Sequence, residues 1–397
     1  MPSRRRPAVL AALTGVAAAA VLALVALLGL AVMSSGAPAS GAIGEVSPDA
    51  VGPMVRTYYL AAEPVMWDYA PQRRNRITGR PFDAVARVFV GRGPGRIGST
   101  YLKSRYIAYT DATFRTRAPA DPRWRHLGML GPVIRAQVGD TIRVVFRNRT
   151  SFPASVHPHG VLYDKSSEGA PYADGTGDRY ARGDVVRPGG TYTYVWEVPE
   201  RAGPGPMDGT SVAWIYHSHV DEVADTNAGL VGPLIVTKRG MARADGSPVD
   251  VDRELVGFFS VMDENASPWI GRNAARAPGG VAATTGDPGE FEESNLMHSI
   301  NGFVYGNGPG FSMREGERVR WYMLSLGNEV DLHTPHWHGN TVLARGMRTD
   351  MTELLPGSMM VADMTPDAPG IWLFHCHVND HLLAGMETRY AVLPAAG

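Results

Sequence analysis

Short runs of alternating apolar and polar residues make up most of the chain after Tyr58. Between residues 141 and 147, Ile142, Val144 and Phe146 occupy every second position, as in a strand with one buried face. Similar runs, rich in β-branched and aromatic residues, occur at 191–198, 212–216, 230–236, 254–261, 318–324 and 370–374. No long stretch after the N-terminal segment has helical periodicity. The sequence therefore predicts an all-β chain built as a sandwich or a barrel.

The strand pattern contains an internal repeat. Residues 139–143, Gly-Asp-Thr-Ile-Arg, correspond to residues 316–320, Gly-Glu-Arg-Val-Arg. Later, Trp-Ile-Tyr-His-Ser-His-Val at 214–220 corresponds to Trp-Leu-Phe-His-Cys-His-Val at 372–378. The repeat predicts two copies of one β-domain. The predicted segments are a signal or membrane anchor (1–33), a linker (34–52), the first domain (53–240), the second domain (251–397) and, within the second, a surface loop (266–290).

A basic and then apolar segment precedes the β pattern. Three arginines at positions 4–6 are followed by an uncharged run at 7–33, rich in Ala, Leu and Val. A secretory signal has an apolar region of about 7–15 residues, whereas a bilayer span needs about 20. We therefore expect an uncleaved anchor with the rest of the chain outside; a signal cleaved near 37–39 is the alternative. Either way we expect an exported protein, on the extracytoplasmic face of the membrane or secreted.

Charge and cysteine content exclude some partners and bonds. The chain has 38 Lys and Arg against 39 Asp and Glu, so a nucleic-acid partner is not expected. Cys376 is the single cysteine, which excludes an internal disulfide. In an exported protein an unpaired cysteine needs an explanation, and a metal-bound thiolate supplies one.

The single cysteine lies between two histidines at the end of a predicted strand. Successive side chains of a strand point to opposite faces, so His375 and His377 point one way and Cys376 the other. One tripeptide can therefore serve two metal centres. His381 and Met386 follow at a spacing that lets a loop return to the metal of the cysteine. One Cys, His ligands and a distant Met form the ligand set of a blue-copper electron-transfer site.

Histidines are concentrated in four clusters that hold ten of the twelve in the chain. Each cluster contains a His-x-His pair, which places two imidazoles on the same side of a strand. Eight neutral nitrogen donors without carboxylates suit copper better than harder ions. The four pairs are His157 and His159, His217 and His219, His336 and His338, and His375 and His377.

These motifs resemble the trinuclear copper cluster of multicopper oxidases, which is held between two cupredoxin-like Greek-key β-sandwich domains. The resemblance implies four copper ions per chain: one type 1, one type 2 and two type 3. It implies no cofactor other than copper. The implied ligands are His157 and His336 for type 2, His159, His217, His219, His338, His375 and His377 for type 3, and His333, Cys376, His381 and Met386 for type 1.

Only the second domain has the type 1 ligands. The corresponding positions of the first domain hold Ala154, Ser218, Val223 and Leu230, and none of these could replace its counterpart. This argues against a copper nitrite reductase, which keeps its blue site in its first domain. The resemblance implies that Cys376 passes electrons to the trinuclear cluster, where O₂ becomes two waters. Two-domain members of the family form homotrimers with clusters at the subunit interfaces, and we expect the same here.

Further motifs resemble the ferroxidases ceruloplasmin and hephaestin. They lie at 58–63, 67–71, 216–221, 293–302, 328–333 and 381–387. The resemblance implies an Fe²⁺ site formed by Glu293, His298 and Asp380, with Glu329 supplied by another subunit. Hard carboxylate oxygens favour Fe³⁺ over Fe²⁺, which makes the bound iron a better reductant. Asp380 adjoins His381, so the electron would enter the type 1 copper through that imidazole.

Other donors and roles stay open. Laccase-like oxidation of phenols or amines is the main alternative, and oxidation of cuprous ions is another. Methionines between 347 and 364 suggest a Cu⁺ path, but Met359, Met360 and Met364 lie on a predicted strand, where methionine usually fills a core. A non-enzymatic copper-sequestering protein is the remaining alternative, although all twelve copper ligands are present.

Overall fold

The first half of the chain forms two packed β-sheets, seen in a computed structural model that describes residues 52–176, 182–283 and 286–396. Its strands are β1 (Val55–Asp68), β2 (Thr100–Tyr109), β3 (Ile134–Gln137), β4 (Thr141–Asn148), β5 (His157–Pro158), β6 (Thr191–Glu197), β7 (Ser211–His217) and β8 (Val231–Thr237). One sheet has the order β2-β1-β4-β6 and the other β3-β8-β7-β5. In each sheet one neighbouring pair is parallel, β1 with β4 and β3 with β8.

The second half repeats this arrangement. Its strands are β9 (Arg253–Asp263), β10 (Leu296–Ile300), β11 (Phe311–Arg314), β12 (Val319–Ser325), β13 (Pro335–Trp337), β14 (Val342–Ala344), β15 (Met347–Thr349), β16 (Met359–Met364), β17 (Gly370–Cys376) and β18 (Glu387–Leu393). They form sheets of order β10-β9-β12-β16-β14-β15 and β11-β18-β17-β13. The all-β prediction is therefore confirmed.

Helices are short in the described residues. They are α1 (Ala86–Val90), α2 (Glu222–Ala228), α3 (Ile270–Ala274), α4 (Gly280–Ala283), α5 (Pro288–Ser294), α6 (Asn379–Leu383) and three 3₁₀ turns, Pro122–Leu127, Lys165–Ser167 and Glu200–Ala202. The prediction of a surface loop at 266–290 is wrong in part, because this segment contains α3, α4 and the start of α5. Asp287 begins α5 by accepting hydrogen bonds from the backbone N–H groups of Gly289 and Glu290.

Each sandwich has an apolar core built from alternate strand residues. In the first, Ile142, Val144 and Phe146 are fully buried, as their spacing predicts. In the second, the ring centroid of Trp337 lies 5.7 Å from that of Trp321 and 5.0 Å from that of Phe374. Aromatic pairs in this range add about 0.5–1.5 kcal/mol to the stabilisation from burial alone.

Strand β12 connects the two sandwiches because both of its faces are buried. Trp321 and Met323 point into the core of the second sandwich, whereas Tyr322 and Leu324 belong to a different cluster, which includes Ile215 of β7. The sheet that contains β12 therefore packs on the first sandwich. The other sheet of the second half, β11-β18-β17-β13, packs on the opposite face of β12, because Phe374 of β17 shares a core with Trp321. Its outer face is therefore directed away from the first sandwich.

All strand pairing in the described residues stays within one half or the other. By its packing, however, the described chain from Gly52 onward is one compact unit. The division into domains at 53–240 and 251–397 therefore stays a prediction. The predicted signal or anchor at 1–33, and the linker at 34–52 except Gly52, lie outside the described residues. Within those residues no helix is long and apolar enough to cross a membrane.

A buried ion pair joins the two halves. Lys103 on β2 and Glu264, which follows β9, are both fully buried and in contact. The hydroxyl of Tyr69 donates to Glu264 Oε1 at 2.6 Å, and Lys103 Nζ donates to the carbonyl of Asn227 at 2.7 Å. Burial raises the pKa of Glu264 and lowers that of Lys103. Removing one partner of such a pair typically costs about 3–5 kcal/mol, so this contact holds the halves in one orientation.

His126 is a second polar contact between the halves. Its Nε2 accepts a hydrogen bond from the backbone N–H of Val256 at 3.0 Å, so that nitrogen must be unprotonated. Burial lowers the pKa of His126 to about 4. Between this value and the unfolded pKa near 6.5, the unfolded chain binds a proton that the folded chain does not. The free energy of unfolding therefore falls as the pH is lowered from about 6.5 to about 4.

We predict that His126→Gln, which keeps an acceptor near Nε2, reduces the loss of stability in acid. The unfolding free energy of the parent protein should fall by about 2 kcal/mol more than that of the variant between pH 6.5 and pH 5. Urea unfolding at both pH values, in the same metal state, measures the difference. Equal losses would mean that His126 does not titrate in this way; measurements at pH 8 serve as the control.

Candidate metal centres

Cys376, His333 and His381 form a buried group at one end of the second sandwich. Their donor atoms all lie within 4.8 Å of one another. Cys376 Sγ is 3.9 Å from Nδ1 of His333 and 3.6 Å from Nδ1 of His381, and the two Nδ1 atoms are 3.2 Å apart. A first-row metal ion about 2.0–2.3 Å from each donor requires separations of this size. The thiol and two imidazoles suit copper.

The chain after Cys376 folds back onto it. His381 lies on α6, and Gly385 then adopts a φ of +107°, which reverses the chain at little steric cost. The N–H of Cys376 consequently donates to the carbonyl of Met386 at 3.0 Å. Met386 is fully buried in the same apolar cluster as Cys376. Its thioether is the fourth donor expected from the sequence.

Asp331 orients one of these ligands. Its Oδ1 lies 3.2 Å from Nε2 of His333, which leaves Nδ1 directed at Cys376. The carboxylate is itself fully buried and accepts hydrogen bonds from the N–H groups of Val261 and Asn328. Carboxylate–histidine contacts of this kind fix the ring and tautomer of metal ligands. Sequence reasoning missed this role, although Asp331 lies in the 328–333 motif.

The protonation of this group is set by burial. Burial raises the pKa of the Cys376 thiol, and burial together with His333 lowers the pKa of His381 to about 4. The imidazole is therefore neutral at pH 7, as a ligand must be. The thiol keeps its proton until a metal ion displaces it. The N–H of Thr334 already points at Sγ, 3.3 Å away.

A second group gathers the histidines of the first sandwich. His157 on β5 pairs with His217 at the end of β7, and Nε2 of His159 is 3.1 Å from Nε2 of His217. Donor atoms of all three lie within 4.8 Å of one another. The ring of His219 is 5.0 Å from that of His157, but its Nε2 is 3.3 Å from a carboxylate oxygen of Glu222. His219 is therefore adjacent to the group and not part of it.

A third group mirrors the second in the other sandwich. His336 on β13 pairs with His375 on β17, and Nε2 of His375 lies 3.2 Å from His336 Nδ1 and 3.1 Å from His338 Nε2. The ring of His377 is 5.4 Å from that of His336. Burial lowers the pKa of His375 to about 4, as it does for His159 in the second group. Neutral imidazoles of this kind are ready to bind a metal ion.

The tripeptide 375–377 contributes to two of these groups. Cys376 lies among the apolar core residues beside Phe374, whereas His375 belongs to the third group on the other side of the strand. Nδ1 of His375 is 2.8 Å from the carbonyl oxygen of Cys376. The group that contains Cys376 and the third group are thus connected through one residue of backbone and one hydrogen bond.

The second and third groups do not meet within one chain. In the described residues, every contact between histidine rings of these groups joins residues of the same half. This agrees with the packing, because the strand of His375 lies in the sheet behind β12. Each half supplies its own set of four neighbouring imidazoles.

The first sandwich has a serine, hydrogen-bonded to a buried carboxylate, at the position where the second sandwich has Cys376. Ser218 corresponds to Cys376, and its hydroxyl donates to Asp225 Oδ2 at 2.6 Å. Burial raises the pKa of Asp225 to about 6. Of the other corresponding residues, Leu230 is fully buried in the apolar core, and the side chain of Val223 is 65% exposed. This position therefore offers no set of metal donors.

The residues expected to hold Fe²⁺ are only partly brought together. His298 on β10 is almost buried, and its ring centroid is 5.3 Å from that of His381. Glu293 near the end of α5, Asp380 on α6 and Glu329 in the loop between β12 and β13 are exposed. In the described chain, no group of three close donor atoms includes His298 or any of these acids.

The methionines of β16 fill apolar space. Met360 and Met364 are buried in the core of the second sandwich, and Met359 packs against the cluster between the halves. In this arrangement they act as core residues, as the strand pattern suggests.

Comparison with known proteins gives the family. Two models described as multicopper oxidase match residues 126–240 and 282–396. Ferroxidase HEPHL1 of Homo sapiens is 44% identical over 345 residues, which are 86% of this chain and 30% of that protein. Hephaestin of Rattus norvegicus is 43% identical over 342 residues (85% and 29%), and ceruloplasmin of the same species is 42% identical over 347 residues (86% and 33%). The chain spans about a third of the length of these relatives.

Solved structures confirm the fold. One described as a multicopper oxidase has a TM-score of 0.52 at 18% identity and covers 85% of this chain and 89% of its own. A blue copper oxidase from Nitrosomonas europaea has a TM-score of 0.53 at 18% identity, with 85% and 86% covered. The predicted cupredoxin-like sandwich fold is therefore confirmed, and copper is the metal that this family implies. The chain belongs to the multicopper oxidases and is similar to ferroxidase HEPHL1, hephaestin and ceruloplasmin.

Proposed function

We propose that this protein oxidises Fe²⁺ and reduces O₂ to water. The observation that carries the proposal is the position of Cys376, whose thiol belongs to one donor group while the adjacent His375 belongs to another. A protein that only stores copper has no need to connect a thiolate site to a histidine cluster. The identity of about 42–44% with proteins named as ferroxidases, hephaestin and ceruloplasmin supports iron as the donor.

The proposed ligands follow the three donor groups and include their adjacent histidines. They are His333, Cys376, His381 and Met386 for a type 1 copper, His157 and His336 for a type 2 copper, and His159, His217, His219, His338, His375 and His377 for a type 3 pair. Bound copper would supply one-electron chemistry at the thiolate and the four-electron reduction of O₂ at the histidines. Four Fe²⁺ ions each lose one electron for every O₂ that takes up four electrons and four protons.

Two routes connect Cys376 to the histidines. One follows the backbone to His375 and His377. The other crosses the hydrogen bond in which Nδ1 of His375 donates to the carbonyl of Cys376 at 2.8 Å. That same bond directs Nε2 of His375 toward His336 and His338. The residue that collects the electron thus also orients a ligand of the cluster that receives it.

A complete histidine cluster requires more than one copy of the chain. The second and third groups belong to different sandwiches, and the sheet that carries His375 has its outer face directed away from the first sandwich. We infer that the third group of one copy meets the second group of a neighbouring copy. A closed homotrimer satisfies every group in this way.

The iron donor would bind beside His381. The ring of His298 lies 5.3 Å from that of His381, and its Nδ1 is held 3.1 Å from the carbonyl of Leu296, so Nε2 is the nitrogen left for a ligand. Glu293 and Asp380 are exposed, Asp380 directly precedes His381, and both carboxylates would close around the ion when it binds. Glu329 would come from a neighbouring subunit. The apolar segment at 7–33 supports export, with the protein anchored or secreted.

Replacing Cys376 by Ser should abolish both the blue absorption and all O₂ consumption. The hydroxyl is a poor ligand, so the type 1 copper is lost, but the histidines are unchanged. Copper analysis should therefore give about three ions per chain instead of four. Oxidase activity that survives in a colourless variant would contradict the proposed route.

The double variant Glu293→Ala/Asp380→Ala should lose kcat/KM for Fe²⁺ by roughly tenfold or more, because both carboxylates are proposed iron ligands. Oxidation of a bulky phenol should be unchanged, since it needs only electron entry at His381. Rates of O₂ uptake with each donor give kcat/KM for Fe²⁺ and for the phenol, and the ratio of the two is compared between the variant and the parent protein. Glu200→Ala/Asp208→Ala, which removes two exposed acids of the first sandwich, is the matched control. Equal losses on both donors in the double variant would refute a dedicated iron site.

Light scattering of the copper-loaded protein should give three times the mass of one chain. Each histidine cluster needs a half from two copies, and the two-domain members of the family that the chain resembles close such a ring with three copies. A monomer with full oxidase activity would contradict shared clusters.

A further inference from the structure

An arginine-rich segment connects β1 to β2 at the end of the molecule where the electron donor is proposed to bind. Between residues 70 and 99 the chain has one acidic residue, Asp83. It has seven arginines there, which we call the arginine surface: Arg73, Arg74, Arg76, Arg80, Arg87, Arg92 and Arg96.

The segment is fixed to the loop that carries the type 1 ligands. The N–H of Arg76 donates to the carbonyl of Tyr305 at 2.9 Å, and the N–H of Tyr305 donates to the carbonyl of Gly385 at 2.8 Å. Asn307 Nδ2 donates to the carbonyl of Arg74 at 3.0 Å. The backbone of Arg76 is therefore connected through Tyr305, by two hydrogen bonds, to Gly385, which adjoins Met386.

Helix α1 brings the same segment to the proposed iron site. It packs against α5, whose last turn contains Glu293. The ring of Phe89 on α1 lies 5.4 Å from the ring of His298. Arg87 is on the exposed side of this helix. The arginine surface thus lies next to His298, whose ring contacts that of His381.

Most of this positive charge is unpaired. Within the described residues, Arg73 is the one member of the arginine surface that forms an ion pair, with Asp68. The guanidinium groups of Arg87, Arg92 and Arg96 donate to backbone carbonyls, which leave the charge uncompensated. Arg74 and Arg80 are exposed. Unpaired arginines on a rigid framework are suited to bind anions through paired N–H groups.

Acidic residues lie beside this surface. Helix α5 carries Glu290, Glu292 and Glu293, and Asp380 is on α6; all are exposed. A bare Fe²⁺ ion is attracted by these acids and repelled by the arginines. A carboxylate complex of iron satisfies both, because its anionic arms face guanidinium groups while its metal faces carboxylates and an imidazole.

We propose that the arginine surface binds an anionic polycarboxylate complex of iron and presents its metal to Glu293 and His298. This rests on the proposed function and names the form in which iron arrives. An anionic lipid surface fits less well. The exposed acids beside the arginine surface would repel such a membrane, whereas they attract the metal of a polycarboxylate complex. The partner of the arginine surface is therefore a soluble anion.

The test measures binding without redox chemistry. Zinc(II) citrate, in which zinc replaces Fe²⁺ and has no redox chemistry, is titrated calorimetrically into the copper-loaded protein. The variant Arg74→Gln/Arg76→Gln/Arg80→Gln should bind it roughly tenfold or more weakly at low salt, and added salt should weaken binding to the parent protein. The control Arg143→Gln/Arg187→Gln/Arg314→Gln removes three arginines that form no ion pair in the described chain, and it should bind like the parent.

Measurements of turnover form the second part of this test. The 74/76/80 variant should oxidise Fe²⁺ supplied in citrate more slowly than the parent, but Fe²⁺ supplied without a chelator at least as fast. Binding of zinc citrate without any Fe²⁺ oxidation would contradict the proposed function and leave the binding surface supported. No binding to the parent, equal binding by the variant, or arginine-dependent binding to phosphatidylglycerol vesicles in place of citrate would overturn the proposal.

Discussion

The pleat of strand β17 is the constraint on which the proposed chemistry depends. Because side chains alternate along a strand, Cys376 points into the apolar core while His375 points out of it. A helix at this position would spread the three side chains over different directions. The core side supplies a dry setting for a thiolate, and the outer side leaves imidazoles free to meet another surface. One extended tripeptide therefore both separates and connects two kinds of metal site.

The packing of the two halves follows from a second constraint, which is that β12 has no exposed face. Its inner side chains complete the core of the second sandwich, and Tyr322 and Leu324 on the other face are covered by the first sandwich. This leaves the sheet of β17 outermost in its half. The histidine groups of one chain are consequently kept apart, although every proposed ligand is present. In this account, assembly of copies is a requirement of the active site and not an addition to it.

Much of this could be predicted from the sequence, because strands and metal ligands leave short-range signals. Alternation identifies Ile142, Val144 and Phe146 as core residues, and His-x-His pairs identify imidazoles on one side of a strand. The carboxylates of Asp331 and Asp225 could not be assigned, because their partners lie in distant segments or around a turn. The helices within 266–290 were missed because each is only one or two turns long. The convergence of Glu293, His298 and Asp380 stays a prediction, since the side chains do not form a closed group without an ion.

The central claim is that electrons leave Cys376 only through the histidine clusters. It is tested most directly by mixing the fully reduced, copper-loaded protein with O₂ and following the blue absorption with time. The account predicts that the blue colour returns rapidly in the parent protein, and that in His336→Ala, which removes one cluster ligand and keeps the thiolate group, it does not return on that timescale. Equally rapid return of the colour in both proteins would mean that O₂ oxidises the thiolate site directly, and would contradict the account.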